Sequence, residues 1–153
     1  MGPTLRIVVD HLDGSRSGQR QEFAADQRVR FGRHPDNEVS FDATRDLDAS
    51  SRHAELTLRD GQCVLRDVGS SNGTFVDGQR IDEVTLAIGT PVEVDFGGGG
   101  PRVRIVVGDD ATIQALPEIR PAHAGRSWPT VVIAAGLVLI AAVSVAIWWR
   151  FGG

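Results

Sequence analysis

Asp-Gly pairs break this chain into short lengths: Asp13-Gly14, Asp60-Gly61 and Asp77-Gly78 each stand next to runs rich in β-branched or aromatic residues. Asp13-Gly14 with Ser15 is a turn signal, and each of the other two pairs closes a two-residue hairpin, because both positions of the pair tolerate the positive φ that such a turn needs. The runs between these and similar turns read as strands at residues 4–11, 18–24, 28–31, 38–42, 53–59, 62–66, from 75, 81–88, 91–96 and 102–107. Pro35-Asp36-Asn37 supplies one further turn, and the four glycines 97–100 a flexible hairpin tip. No Lys-Ser/Thr and no helical pattern follows those glycines, so they do not make a P-loop. Strand runs this dense, with no helical pattern before residue 108, predict an all-β sandwich over residues 1–107.

Charge and cysteine content narrow the function. The net charge is −4, and it resides entirely before residue 108. Every basic residue is an arginine, and no basic stripe forms, which argues against nucleic acid as a ligand. The single cysteine, Cys63, permits no internal disulfide and reads as a small buried hydrophobe. No metal-ligand cluster and no cofactor motif is present, so no metal and no cofactor is expected. The N-terminus lacks an apolar leader, and Arg6 stands where a myristoylation signal after Gly2 would need Ser or Thr.

Three motifs carry chemistry: Phe31-Gly32-Arg33-His34, Ser50-Ser51-Arg52-His53, and Ser70-Ser71-Asn72-Gly73-Thr74-Phe75-Val76-Asp77-Gly78. An arginine fork, serine hydroxyls and loop N–H groups together suit a phosphate. An asparagine amide can grip a peptide backbone from both sides. In this order and at these separations the motifs resemble the forkhead-associated (FHA) domain, a β-sandwich of two antiparallel sheets that reads phosphothreonine. The resemblance runs from Leu5 to about Val107 and implies that Arg33, Ser50, Ser51, Ser71 and Asn72 bind the phosphopeptide. It also implies that Gly32, His53, Gly73 and Thr74 support the loops. Ser51 and Asp77 depart from the commoner family residues, Arg or Asn and Asn respectively. Asp42, Asp46 and Asp48 in the loop before Ser50 predict that ligands acidic just after the phosphothreonine bind poorly.

Ser50, His53 and Asp67 could be imagined as a hydrolase set. No nucleophile elbow accompanies them, and the FHA roles already account for Ser50 and His53, so no catalytic residue is expected.

The composition changes after residue 107. Residues 108–127 read as a flexible linker in which Thr112 is an ordinary linker threonine. From Val131 to Trp149 there are 19 residues without a charge, flanked by Trp128 and by Trp148-Trp149. A helix of that length reaches about 28 Å, the thickness of a bilayer's hydrocarbon core. Residues 128–149 are therefore expected to form a single transmembrane helix, with a tail at 150–153. Arg120 and Arg126 on the near side favour a cytoplasmic N-terminal domain. The whole reads as a tail-anchored phosphothreonine-binding adaptor at the cell membrane, with a membrane Ser/Thr kinase or its substrates as partners. The alternative is an FHA-like scaffold for a membrane assembly that is indifferent to phosphate.

Overall fold

Ile7, Val9, Phe31, Leu56, Leu65, Val94, Phe96 and Ile105 are fully removed from solvent and lie in one core between two sheets. The computed structural model describes residues 2–121. Among them no helix is long and apolar enough to cross a membrane. The expected span at 128–149, the tail at 150–153 and the last part of the expected linker lie outside the described residues.

The strands are β1 (Arg6–Asp13), β2 (Arg20–Ala24), β3 (Val29–Gly32), β4 (Val39–Ser40), β5 (Ala54–Arg59), β6 (Gln62–Asp67), β7 (Thr74–Val76), β8 (Gln79–Ile81), β9 (Glu83–Leu86), β10 (Val92–Phe96) and β11 (Arg102–Gly108). One sheet has the order β2-β1-β11-β10-β7-β8 and the other β4-β3-β5-β6-β9. The all-β sandwich expected from the turns is what forms. Asp60-Gly61 and Asp77-Gly78 each have positive φ at both residues, as a tight hairpin requires.

Three details differ from the sequence reading. First, the sheets are not wholly antiparallel: β3 and β4 run parallel, with Phe31 opposite Val39. Arg30 causes this, since its guanidinium and backbone N–H both hold the Glu38 carboxylate and draw the chain back beside β3. That pairing lowers the Glu38 pKa to about 2. Second, the strand expected at 81–88 is divided between the sheets. β8 ends at Ile81 and β9 begins at Glu83, and the Asp82 carbonyl between them accepts from Asp67 N–H at 2.8 Å.

Third, the expected flexible linker does not begin at residue 108. Asp109 caps a short helix, α1 (Asp110–Gln114), accepting from the backbone N–H and hydroxyl of Thr112 at 2.9 and 2.7 Å. Ile113 is buried, and Asp110 pairs with Arg6. The chain then returns along the outer face of the first sheet. There the Pro117 carbonyl accepts from Arg104 at 3.2 Å and from Arg20 at 3.5 Å. Those two arginines neutralise Asp10, which is fully buried. Burial alone would raise the Asp10 pKa, but the hydrogen bonds from Arg20 and Arg104 more than offset it and hold the carboxyl below its ordinary value. Val8 and Val106, pointing away from the main core, are buried as well. Residues 109–121 are thus a strap that covers a second apolar face.

Candidate functional site

The loops after β3, after β4 and after β6 meet at one end of the sandwich. Arg33 leaves β3 with its backbone N–H donating to Ser50 O at 3.0 Å. Its guanidinium Nε donates to Ala49 O at 2.6 Å and its Nη1 to Ala43 O at 3.1 Å. Ser50 Oγ accepts from Ser71 N–H at 3.0 Å, and Asn72 Nδ2 donates to Asp48 O at 2.9 Å. Asp48, Ala49 and Ser50 form the strip on which Arg33, Ser71 and Asn72 are assembled. The site residues expected from sequence are therefore brought to one rim. Arg33 Nη2, the hydroxyls of Ser51 and Ser71 and the carbonyl oxygen of Asn72 have no hydrogen-bond partner among the described residues, and remain open to a ligand.

The supporting residues act through packing and hydrogen bonds. A Cβ on Gly32 would sit 2.2 Å from Ser51 O. Gly32 is thus needed for the close approach of the Ser50–Ser51 backbone; its φ is not positive, so the chain does not need it in order to bend. His53 is fully buried with its ring edge on Phe96. Its Nδ1 accepts from Ser50 N–H at 3.0 Å, which leaves the proton on Nε2 to donate to Gly73 O at 2.8 Å. One imidazole so ties the Ser50 loop to the Ser71 loop. Burial lowers its pKa below the ordinary histidine value. Gly73 has a φ of 91°, and Thr74 Oγ1 donates to Asp67 Oδ2 at 2.7 Å.

The imagined hydrolase set does not assemble. His53 faces the amide of Ser50 rather than its hydroxyl, and Asp67 is filled by Gly69, Ser70 and Thr74. Burial would raise the Asp67 pKa, but these hydrogen bonds hold it below the ordinary value. Asp77 takes a hairpin role, its Oδ1 accepting from Glu93 N–H at 3.0 Å. The acidic loop also changes meaning. Asp46 is buried, where it accepts from Ser15 and from Asp42 N–H, while Asp42 caps Thr44 and Arg45. Asp48 alone of the three is both exposed and uncommitted.

Sequence reasoning missed Asn37 as a loop brace, and gave Asp46 and Asp67 roles other than the loop-bracing ones they take. Asn37 is 6% exposed, and its Nδ2 bridges His34 O and Ser51 O, both at 2.9 Å. Asp67-x-Gly69-Ser70 carries a readable local signal, a carboxylate two and three residues before the N–H groups it accepts. Asn37 and Asp46 act across loops and carry no such local mark.

Residues 29–95 match the model of the FHA domain. A relative, the glycogen accumulation regulator GarA of Mycolicibacterium smegmatis, is 40% identical over 82 residues, which are 53% of this chain and 49% of that one. The chain spans about half the length of the curated relatives it matches. Among solved structures, the Mycobacterium tuberculosis Rv1747 FHA-1 domain aligns with a TM-score of 0.55 at 26% identity, covering 70% of this chain and 99% of that one. A second, solved in an analysis of phosphothreonine-dependent FHA domain interactions, aligns with a TM-score of 0.52 at 25% identity, covering 67% of this chain and 95% of that one. The sandwich is similar to FHA domains, in the match of residues 29–95 to their family model and in its fold.

Proposed function

We propose that this FHA domain reads phosphothreonine in protein partners, and that residues 128–149 anchor it to the cytoplasmic face of a membrane. One observation carries the reading: Arg33, Ser51, Ser71 and Asn72 share a rim built on the strip 48–50 and keep polar groups open to a ligand. Phosphothreonine brings about −1.5 to −2 charges and three acceptor oxygens. Arg33 pairs with that charge, the Ser50, Ser51 and Ser71 hydroxyls donate to its oxygens, and Asn72 orients the peptide main chain. The similarity to a domain studied for phosphothreonine-dependent interactions supports the ligand class. Membrane Ser/Thr kinases and their substrates are the natural partners of a reader held there.

A second reading, phosphate-independent assembly, draws on the two carbonyls that already occupy Arg33. The two are separated by titrating a fragment of residues 1–121 with matched threonine and phosphothreonine peptide libraries, with Arg33→Ala alongside. A charge-assisted hydrogen bond contributes about 1.5–3 kcal/mol, so the variant is expected to bind roughly 10- to 100-fold more weakly. Partner capture that ignores both the phosphate and Arg33 removes the reader and leaves the scaffold.

A further inference from the structure

We infer that the outer face of the second sheet carries a second peptide subsite, a groove between Arg28, Arg52 and Val68 that takes an acidic side chain of the partner whose phosphothreonine occupies the rim. The inference rests on the reading of the rim as a phosphothreonine site, and adds a sequence preference to it. It does not depend on the membrane anchor.

The rim uses Ser50, Ser51 and His53 but leaves Arg52 aside. Arg52 is exposed and lines a depression of about 220 Å³ on the outer side of β3 and β5. Val29, Phe31 and Leu56 face the core, so Arg30 and Glu55, which pair across the two strands, face outward into this groove. Both are already neutralised: Arg30 holds Glu38 at 2.9 Å, and Arg66 holds Glu55 at 2.6 Å. Arg28 and Arg52 have no hydrogen-bond or ion-pair partner among the described residues. Two open guanidiniums thus face one groove in a chain whose net charge is −4.

The groove is continuous with the rim. Asn37 at its head donates to Ser51 O at 2.9 Å. Val68 at its side leads into the Ser70–Asn72 loop and donates its N–H to His53 O at 3.0 Å. The residues on either side are fixed too, since Asp67 N–H donates to Asp82 O and Asp67 Oδ1 accepts from Gly69 N–H, both at 2.8 Å. Val68 therefore cannot turn inward, and it is one of three large apolar side chains left exposed among the described residues.

This combination selects the occupant. The volume is below the roughly 300–1,000 Å³ of small-molecule pockets, so it suits one side chain of a bound peptide. Two unpaired guanidiniums call for an anion, and an arginine fork matches a carboxylate. Val68 gives the methylenes of a glutamate an apolar wall. Arg28 stands four residues before Gly32, about 13 Å along β3, a distance that about four extended residues cover. The acidic residue thus lies within about five residues of the phosphothreonine. It lies on one side only, because the rim's other flank, at the β10–β11 hairpin, carries exposed Asp48 with Oδ2 beside Gly99.

The test titrates the full chain with phosphothreonine peptides, degenerate elsewhere, in which Glu or Gln is fixed at each of five positions on either side. Glu is expected to bind about 2- to 30-fold more tightly than Gln at a position on one side, the range for two exposed ion pairs, and the gain is expected to shrink with added salt. The double variant Arg28→Ala, Arg52→Ala is expected to lose that preference while binding the Gln series as before, which also shows that it folds. Arg52→Glu is expected to favour Lys at the same position. Glu equal to Gln everywhere, or a preference that survives in the double variant, overturns the inference. A gain given by phosphoserine and not by glutamate assigns the groove to a second phosphate and overturns it as well. Loss of the underlying reading looks different: threonine and phosphothreonine peptides then bind alike, whatever stands at the flanking positions, and the inference falls with the reader.

Discussion

His53 shows how one buried side chain can set the geometry of a surface site. Neutral, it accepts from Ser50 N–H and donates to Gly73 O; protonated, it would present a proton to an amide that already donates. Burial lowers its pKa in the folded protein, while the unfolded chain takes up the proton near the ordinary value of about 6.5. Below that pH the unfolded state binds more protons, so stability falls as pH falls. His11, also buried and lowered, adds to the same slope. Urea unfolding of residues 1–121 at pH 7.5 and 5.5 is expected to give a lower midpoint at acid pH, with part of the difference removed in His53→Gln. A difference that survives intact in that variant would assign the slope to His11 alone. Gly32 makes a second prediction. A methyl group there meets Ser51 O with no room to shift, so Gly32→Ala is expected to cost about 1–3 kcal/mol and to weaken phosphopeptide binding, as measured by denaturant melts and titration. The position of Gly32 was legible in the sequence, but its reason was not, because the pressing carbonyl comes from a loop 19 residues on.

At the scale of elements, hairpins were the legible part. Asp60-Gly61 and Asp77-Gly78 mark turns through local backbone chemistry, and β5, β6 and β7 beside them fall within a residue or two of the expected bounds. The parallel β3–β4 pair was not legible, since it depends on Arg30 recognising Glu38 across a folded-back loop. The strap was partly legible. Ile7-Val8-Val9 and Ile105-Val106-Val107 are continuous apolar runs rather than alternating ones, the pattern of strands covered on both faces. What covers the second face is Ile113 with the residues that follow, in a stretch whose alanines, prolines and charges resemble a linker. Burying an isoleucine contributes about 1.5–3 kcal/mol. Residues 1–107 alone are therefore expected to unfold at lower urea than residues 1–121, by an amount equivalent to about 3 kcal/mol, with Ile113→Ala between them. Identical midpoints would mean that the strap merely lies on the surface.

At the scale of the whole molecule, the distribution of chromophores separates the two halves of the proposed function. The chain has three tryptophans, Trp128, Trp148 and Trp149, and no tyrosine. The sandwich therefore contributes no tryptophan emission, and the intrinsic fluorescence of the full chain reports on the C-terminal stretch alone. Tryptophans at the two ends of a span sit at the membrane interfaces. Reconstitution into vesicles is expected to move the emission to shorter wavelength, and lipids brominated near the headgroup are expected to quench it more than lipids brominated at the acyl-chain end. Adding a phosphothreonine peptide should leave this signal unchanged, because the ligand rim holds no tryptophan. Emission that stays at its aqueous wavelength, with no quenching by either lipid, would remove the anchor while leaving the reader intact. Emission that shifts on adding the peptide without vesicles would instead place the C-terminal stretch against the ligand rim. The strap makes such a contact physically reachable, since it brings Pro121 beside Gly18 in the β1–β2 turn, whose Ser15 bonds Asp46 in the loop that holds Arg33 and Asn72.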